Sequence, residues 1–205
     1  MNQDFDFQKQ TGRFGLYGGS FDPIHRGHLY VARLAMEQLG LDGVIFLPSG
    51  GLPHRARKHL ADADRRLAMV RLAIRGEKGF YCSDFEQRLP APQYTYLTLE
   101  ALAKYPARLI LIVGADALLR LHTWREPERI LAAAPVAAVQ RPGISVEEME
   151  AARQALVPER ITLCPCGGVD ASSSRVREGD WQALPEEVEA YIRKEGLYQN
   201  GSERT

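Results

Sequence analysis

This chain has little that would carry it into a membrane or through one. No apolar run approaches the ~20 residues needed to cross a bilayer, and residues 1–13 are polar and mixed in charge, without the apolar core of a signal peptide. There are three cysteines, Cys82, Cys164 and Cys166, an odd number without disulfide-framework spacing. Cys164-Pro165-Cys166 lacks the second Cys/His cluster that a metal site needs, and it reads as a strand end. These features point to the cytoplasm. Charge of either sign is not in excess: 26 basic residues face 26 acidic ones. With no global field to draw in DNA, RNA or an anionic membrane, any bound anion must be caught locally, which favours a small ligand over a polymer. The sequence leaves a homo-oligomer open.

Three familiar catalytic signatures are missing as well. Without Gly-x-x-x-x-Gly-Lys-Ser/Thr a P-loop kinase is disfavoured. Without Gly-x-Gly-x-x-Gly a dehydrogenase is weakened, and without Gly-x-Ser-x-Gly so is a hydrolase.

What is present is an alternation of strand and helix over 205 residues, enough for one sizeable domain at 14–198 after a polar extension (1–13) and before a tail (199–205). Apolar runs predict strands at 13–18, 43–48, 80–83, 108–114, 135–140 and 160–164. Helical spacing predicts helices at 27–39 (stopped by Gly40), after Asp62 or Asp64, and at 95–104, 146–156 and 186–194. The pattern is that of an α/β, doubly wound, Rossmann-like parallel sheet in a single domain. Ligands of such sheets bind beyond the carboxyl ends of the strands, where the order reverses.

The chemistry-bearing motifs fall at those ends. Gly18-Gly19-Ser20-Phe21-Asp22-Pro23-Ile24-His25-Arg26-Gly27-His28 leaves the first strand and enters a helix. It offers free N–H groups, a helix N-terminus and two imidazoles three residues apart, donors able to carry charge near neutral pH. Ordinary capping and core packing would explain either histidine alone; the pair after a glycine turn points to phosphate. Ser172-Ser173-Ser174-Arg175-Val176-Arg177 looks like a second capped helix start. Its two arginines lie about 200° apart on a helix, so one of them faces a ligand. Asp116 after the central strand suits ribose hydroxyls, a nearby metal ion or a plain helix cap. Trp124 offers a stacking face or simple packing. Arg141, at the end of the next strand, and His54 with Arg55 add cations, the latter two equally at home in a solvated loop.

The ordered series resembles bacterial nicotinate-nucleotide adenylyltransferases, in the nucleotidyltransferase superfamily marked by His-x-Gly-His. It runs from Gly18-Gly19-Ser20-Phe21-Asp22-Pro23-Ile24-His25 through Pro53-His54-Arg55, Ser83-Asp84 with Glu86, Tyr94-Thr95, Gly114-Ala115-Asp116-Ala117, Thr123-Trp124 and Arg141-Pro142-Gly143 to Leu184-Pro185-Glu186-Glu187-Val188. The resemblance implies a nucleotidyltransferase fold and transfer of AMP from ATP to nicotinate mononucleotide, giving deamido-NAD and pyrophosphate. It implies that Gly18, Gly19, Ser20, His25 and His28 hold the ATP phosphates, with Ser173, Ser174 and Arg177 at the β and γ end and Asp116 on the adenosine ribose. Thr95 and Trp124 then line the nicotinate pocket, and His54, Arg55 and Arg141 meet nucleotide phosphates on the mononucleotide side. His25, His28 and Arg177 are the expected catalytic groups, with Mg²⁺ held mainly by the ATP phosphates. Two rivals stay open: an adenylyltransferase for the amide mononucleotide or phosphopantetheine, and a nucleotide-binding regulator without turnover.

Overall fold

The computed structural model describes residues 3–50, 61–165 and 173–198. Six parallel strands form the sheet: β1 (Gly12–Gly19), β2 (Gly43–Pro48), β3 (Phe80–Cys82), β4 (Ala107–Gly114), β5 (Val136–Val139) and β6 (Ile161–Cys164), in the order β3-β2-β1-β4-β5-β6. The helices are α1 (Arg26–Leu39), α2 (Ala63–Ala73), α3 (Thr95–Leu102), α4 (Ala115–Leu118), α5 (Pro127–Ala133), α6 (Val146–Gln154), α7 (Ser173–Arg177) and α8 (Glu186–Glu195).

A parallel sheet covered on both faces needs apolar side chains at nearly every position. Every residue of β2 and of β5 is buried. The period of two sends Tyr17, Phe46, Ile112 and Ala137 to one face, under Val31 and Ala32 of α1, Val70 of α2 and Val188 of α8. Leu16, Ile45, Leu111 and Ala138 go to the other, under Leu99 of α3, Ile130 of α5 and Met149 of α6. The punctuation is chemical. Gly40 ends α1 at φ 57°, ψ 50°, a left-handed conformation that glycine adopts without steric cost. Asp62 caps α2, its carboxylate accepting from the Arg65 amide at 2.8 Å.

The segment before β1 departs from the sequence reading. Residues 1–13 read as a polar extension, yet Phe5 and Phe7 are buried and join Phe14 in the core, the Phe5 and Phe14 rings 4.8 Å apart. Phe5 N–H donates to the Cys82 carbonyl at 2.8 Å and Cys82 N–H to that of Gln3 at 2.9 Å, so this segment runs beside β3. Gly12 and Arg13 already belong to β1. Burial pushes the Cys82 thiol up to about 12. Cys164 is the last, buried residue of β6, as its strand-end reading has it, and Cys166 lies outside the described residues. Among the described residues no helix is long and apolar enough to cross a membrane.

Candidate active site

β1 is the hinge of the winding order: the chain leaves it for β2 on one side, and β4 lies on the other. The gap beyond the carboxyl ends of β1 and β4 is a cavity of about 550 Å³. Gly18, Gly19 and Ser20 form one wall. A Cβ built on Gly18 meets no protein atom within 4 Å, so the space over this backbone belongs to the cavity. Phe21 then takes φ 45°, a costly conformation for an aromatic residue. Its ring, 1% exposed, packs edge-on against His28 at 5.0 Å and against Tyr17 at 5.5 Å, contacts that offset the strain.

The histidines stack face to face at the start of α1, ring centroids 3.8 Å apart and planes 27° off parallel. His25 N–H donates to His28 Nδ1 at 3.2 Å, which puts the His28 proton on Nε2. His25 Nδ1 is buried and, among the described residues, without a hydrogen bond. Burial, reinforced by the Arg141 charge, lowers His25 to about 4. Burial, His25 and Arg141 hold His28 well below the usual imidazole range. In the empty site burial and the nearby Arg141 charge favour the neutral form of both rings, so the charge expected on these donors near neutral pH depends on the anion that binds.

Across the cavity stand Asp116 at the start of α4 and Arg141 after β5, joined at 2.8 Å. Thr95, first residue of α3, and Trp124 line it too, and both also line an adjoining cavity of about 250 Å³. Gly18, Gly19, Ser20, His25, His28, Asp116, Arg141, Thr95 and Trp124 thus share one space.

Ser173, Ser174 and Arg177 do not line it. They lie on α7, docked against the loop that leads into His25: Ser173 Oγ donates to the Pro23 carbonyl at 3.0 Å, and Arg177 Nη1 donates to the Asp22 carbonyl. Arg177 Nη2 donates to Ser174 Oγ at 3.2 Å. Arg175 points the other way, onto Asp180 at 2.8 Å, as the helical spacing requires. His54 and Arg55 lie outside the described residues.

Comparison with known proteins bears on this arrangement. Residues 16–179 match the model of the Cytidylyltransferase-like family. A curated protein of Desulfatibacillum aliphaticivorans, described as a probable nicotinate-nucleotide adenylyltransferase, is 36% identical over 91% of this chain and 99% of its own length. One from Roseiflexus sp., described in the same words, is 40% identical over 90% and 96%. The chain belongs to the nicotinate-nucleotide adenylyltransferase family. It is an enzyme, a nucleotidyltransferase of NAD biosynthesis. The solved nicotinic acid mononucleotide adenylyltransferase of Plasmodium falciparum, 19% identical, superposes with a TM-score of 0.77 over 91% of this chain and 97% of that one, the same doubly wound fold.

Two residues at or beside the cavity were not among the site residues expected from the sequence. Arg66 sits on the buried face of α2, 3% exposed, and ties three loops together. Its guanidinium donates to the carbonyls of Ser20 at 2.8 Å, Ser49 at 2.6 Å and Ala61 at 3.1 Å, and to Ser49 Oγ at 3.3 Å. Only its place beside Leu67 and Val70 in the helical period hinted at burial. Glu86 lines the cavity and accepts from Thr98 Oγ1 at 2.9 Å. Burial pushes its carboxyl up, against the pull of Thr98, the Gly50 amide and Arg66. Its motif was visible, but nothing in the sequence showed that it faces the cavity.

Proposed function

We propose that the chain transfers the AMP unit of ATP to nicotinate mononucleotide, forming deamido-NAD and releasing pyrophosphate. The observation that carries this reading is that one cavity is lined both by a glycine turn with two stacked imidazoles and by Thr95 and Trp124. The names of the relatives support the choice of mononucleotide.

The reaction needs no protein nucleophile. A 5′-phosphate oxygen of the mononucleotide attacks the α-phosphorus of ATP, and the bond to the α,β-bridging oxygen breaks in line. Its electrons leave with pyrophosphate. The barrier comes from bringing two polyanions together and from charge gathering on the bridging oxygen, so alignment and electrostatic stabilisation are what the protein supplies. His25 and His28 contribute N–H donors preorganised by their mutual stacking, and an arriving triphosphate favours the imidazolium form. Asp116 keeps one carboxylate oxygen for a ribose hydroxyl while the other meets Arg141. Arg177 serves the β,γ end from the side of α7.

Among the described residues no cluster of three His, Cys, Asp or Glu side chains could cage a metal ion. Asp116, which lines the cavity and is half exposed, is the carboxylate that would contact Mg²⁺ carried on the phosphates. When bound, Mg²⁺ neutralises phosphate charge.

The test follows pyrophosphate and the dinucleotide product with ATP and Mg²⁺ plus nicotinate mononucleotide, nicotinamide mononucleotide or phosphopantetheine. Fastest release with nicotinate mononucleotide is expected. Preference for either other acceptor overturns the substrate, and ATP binding without pyrophosphate release identifies a regulator.

A further inference from the structure

Asp22 is wholly buried, and the reaction above assigns it no part. Distant pieces of the chain nevertheless converge on it. The Ala61 amide, just before α2, donates to Oδ1 at 3.1 Å. The hydroxyl of Tyr198, 176 residues further on and just beyond α8, donates to the same oxygen. Arg177 Nη1, bonded to the Asp22 carbonyl, lies 3.9 Å from Oδ2. That second oxygen is buried and, among the described residues, has no hydrogen bond.

A carboxylate without solvent must be compensated by donors or by opposite charge. Here the two oxygens are treated differently. Oδ1 is satisfied by two neutral donors, and Oδ2 faces the Arg177 guanidinium without a close bond to it. The Tyr198 hydroxyl therefore fixes the rotation of the carboxylate. Burial and the bond to Asp22 hold its phenol above the usual tyrosine range, so it remains a proton donor. Without that hydroxyl, Oδ1 keeps only the Ala61 amide, and the carboxylate is freer to turn onto the Arg177 guanidinium. Arg177, still 19% exposed, would then be engaged by an internal anion in place of an external one.

We propose that Tyr198 is a positioning residue for the phosphate end of the nucleotide. By holding Asp22 Oδ1 it keeps Arg177 on the loop that leads into His25, where the N–H groups not given to the Asp22 carbonyl and Ser174 Oγ meet phosphate. The identity of that nucleotide as ATP rests on the adenylyltransferase reading.

The full chain carrying Tyr198→Phe, which deletes one oxygen and keeps the ring, is the test. KM for ATP should rise about tenfold, the effect of losing a hydrogen bond to a charged group. KM for nicotinate mononucleotide should stay within about twofold, and the ATP effect should vanish in an Arg177→Ala background, since two residues acting through one contact are not additive. Equal shifts in both KM values, no change for ATP, or the same tenfold loss without Arg177 each overturn the proposal. Thermal melting of each variant identifies any that does not fold. Asp22→Asn, which keeps an acceptor for Tyr198 but removes the charge facing Arg177, gives the second reading: its effect on ATP must also depend on Arg177, and independence overturns the proposal. Calorimetry with the unreactive α,β-methylene analogue of ATP separates the two ideas. If the wild type forms no dinucleotide, the functional reading fails, while weaker, Arg177-dependent binding of the analogue by Tyr198→Phe still supports positioning. If the wild type neither turns over nor binds the analogue, both fall.

Discussion

Lowering the pH of the ligand-free protein should destabilise it steeply, through the two stacked imidazoles. His25, 3% exposed, is lowered from 6.5 to about 4, mainly by burial and secondly by Arg141. A depressed imidazole means that the unfolded chain binds a proton where the folded chain does not. Stability from this group is complete above about pH 6.5 and is lost as pH falls toward about 4. One differential proton changes stability by ~1.4 kcal/mol per pH unit. Between pH 7.5 and 5 His25 alone therefore removes about 2 kcal/mol, a large fraction of a typical domain's stability. His28 is depressed in the same direction and steepens the slope. Glu86 works against it: its raised carboxyl takes up a proton more readily in the folded state and adds stability as pH falls. Comparison with His25→Asn cancels the Glu86 contribution, because both proteins carry it. The assay is urea unfolding of wild type and His25→Asn at half-unit steps from pH 7.5 to 5. The difference between the two curves should shrink by about 2 kcal/mol over that range. Parallel curves would refute the reasoning, since they would mean that His25 titrates alike in the folded and unfolded chains. Saturation with an ATP analogue should flatten the wild-type slope, because a bound polyanion favours the protonated rings.

The remaining expectations concern single side chains. Gly18→Ala should leave the melting temperature within about 2 °C, since the new methyl meets only cavity, yet raise KM for ATP; a large drop in melting temperature would show that the space over Gly18 is structural. His25→Ala or His28→Ala should lower kcat by ~10²-fold, the usual effect of removing one preorganised donor, and unchanged pyrophosphate release would end their assignment. Arg177→Ala should weaken ATP use far more than Arg175→Ala, whose partner is Asp180; equal KM changes would show that the wrong face of α7 was chosen. Arg66→Met should cost about 2–4 kcal/mol in denaturant unfolding, because it removes the donor to the buried Ala61 carbonyl and the half-buried carbonyls of Ser20 and Ser49.

Where local chemistry decides conformation, the chain could be read directly. β2 was expected at 43–48 and occupies Gly43–Pro48, since a short apolar run bounded by glycine and proline has few other uses. α1 stops at Gly40 because glycine tolerates the left-handed turn there. Phe5 and Phe7 were misread because two aromatics among charges give no periodic signal; their burial depends on the room left beside Phe14 and β3. The lowered basicity of the histidines was not legible for a related reason. Residue type supplies the reference pKa, but the shift comes from exclusion of water and the approach of Arg141, a residue more than a hundred positions away.

By itself the sequence determined the layering: apolar runs alternating with helical periods bury both faces of a parallel sheet in essentially one winding, and place each motif at a strand's carboxyl end. Tertiary structure alone decided what those motifs meet. The Asp116–Arg141 pair, the loops gathered by Arg66 and the Tyr198 hydroxyl on Asp22 join groups far apart along the chain. Periodicity is a property of neighbours in sequence, whereas hydrogen bonds and electrostatic fields act over ångströms in space, and only folding converts one kind of proximity into the other.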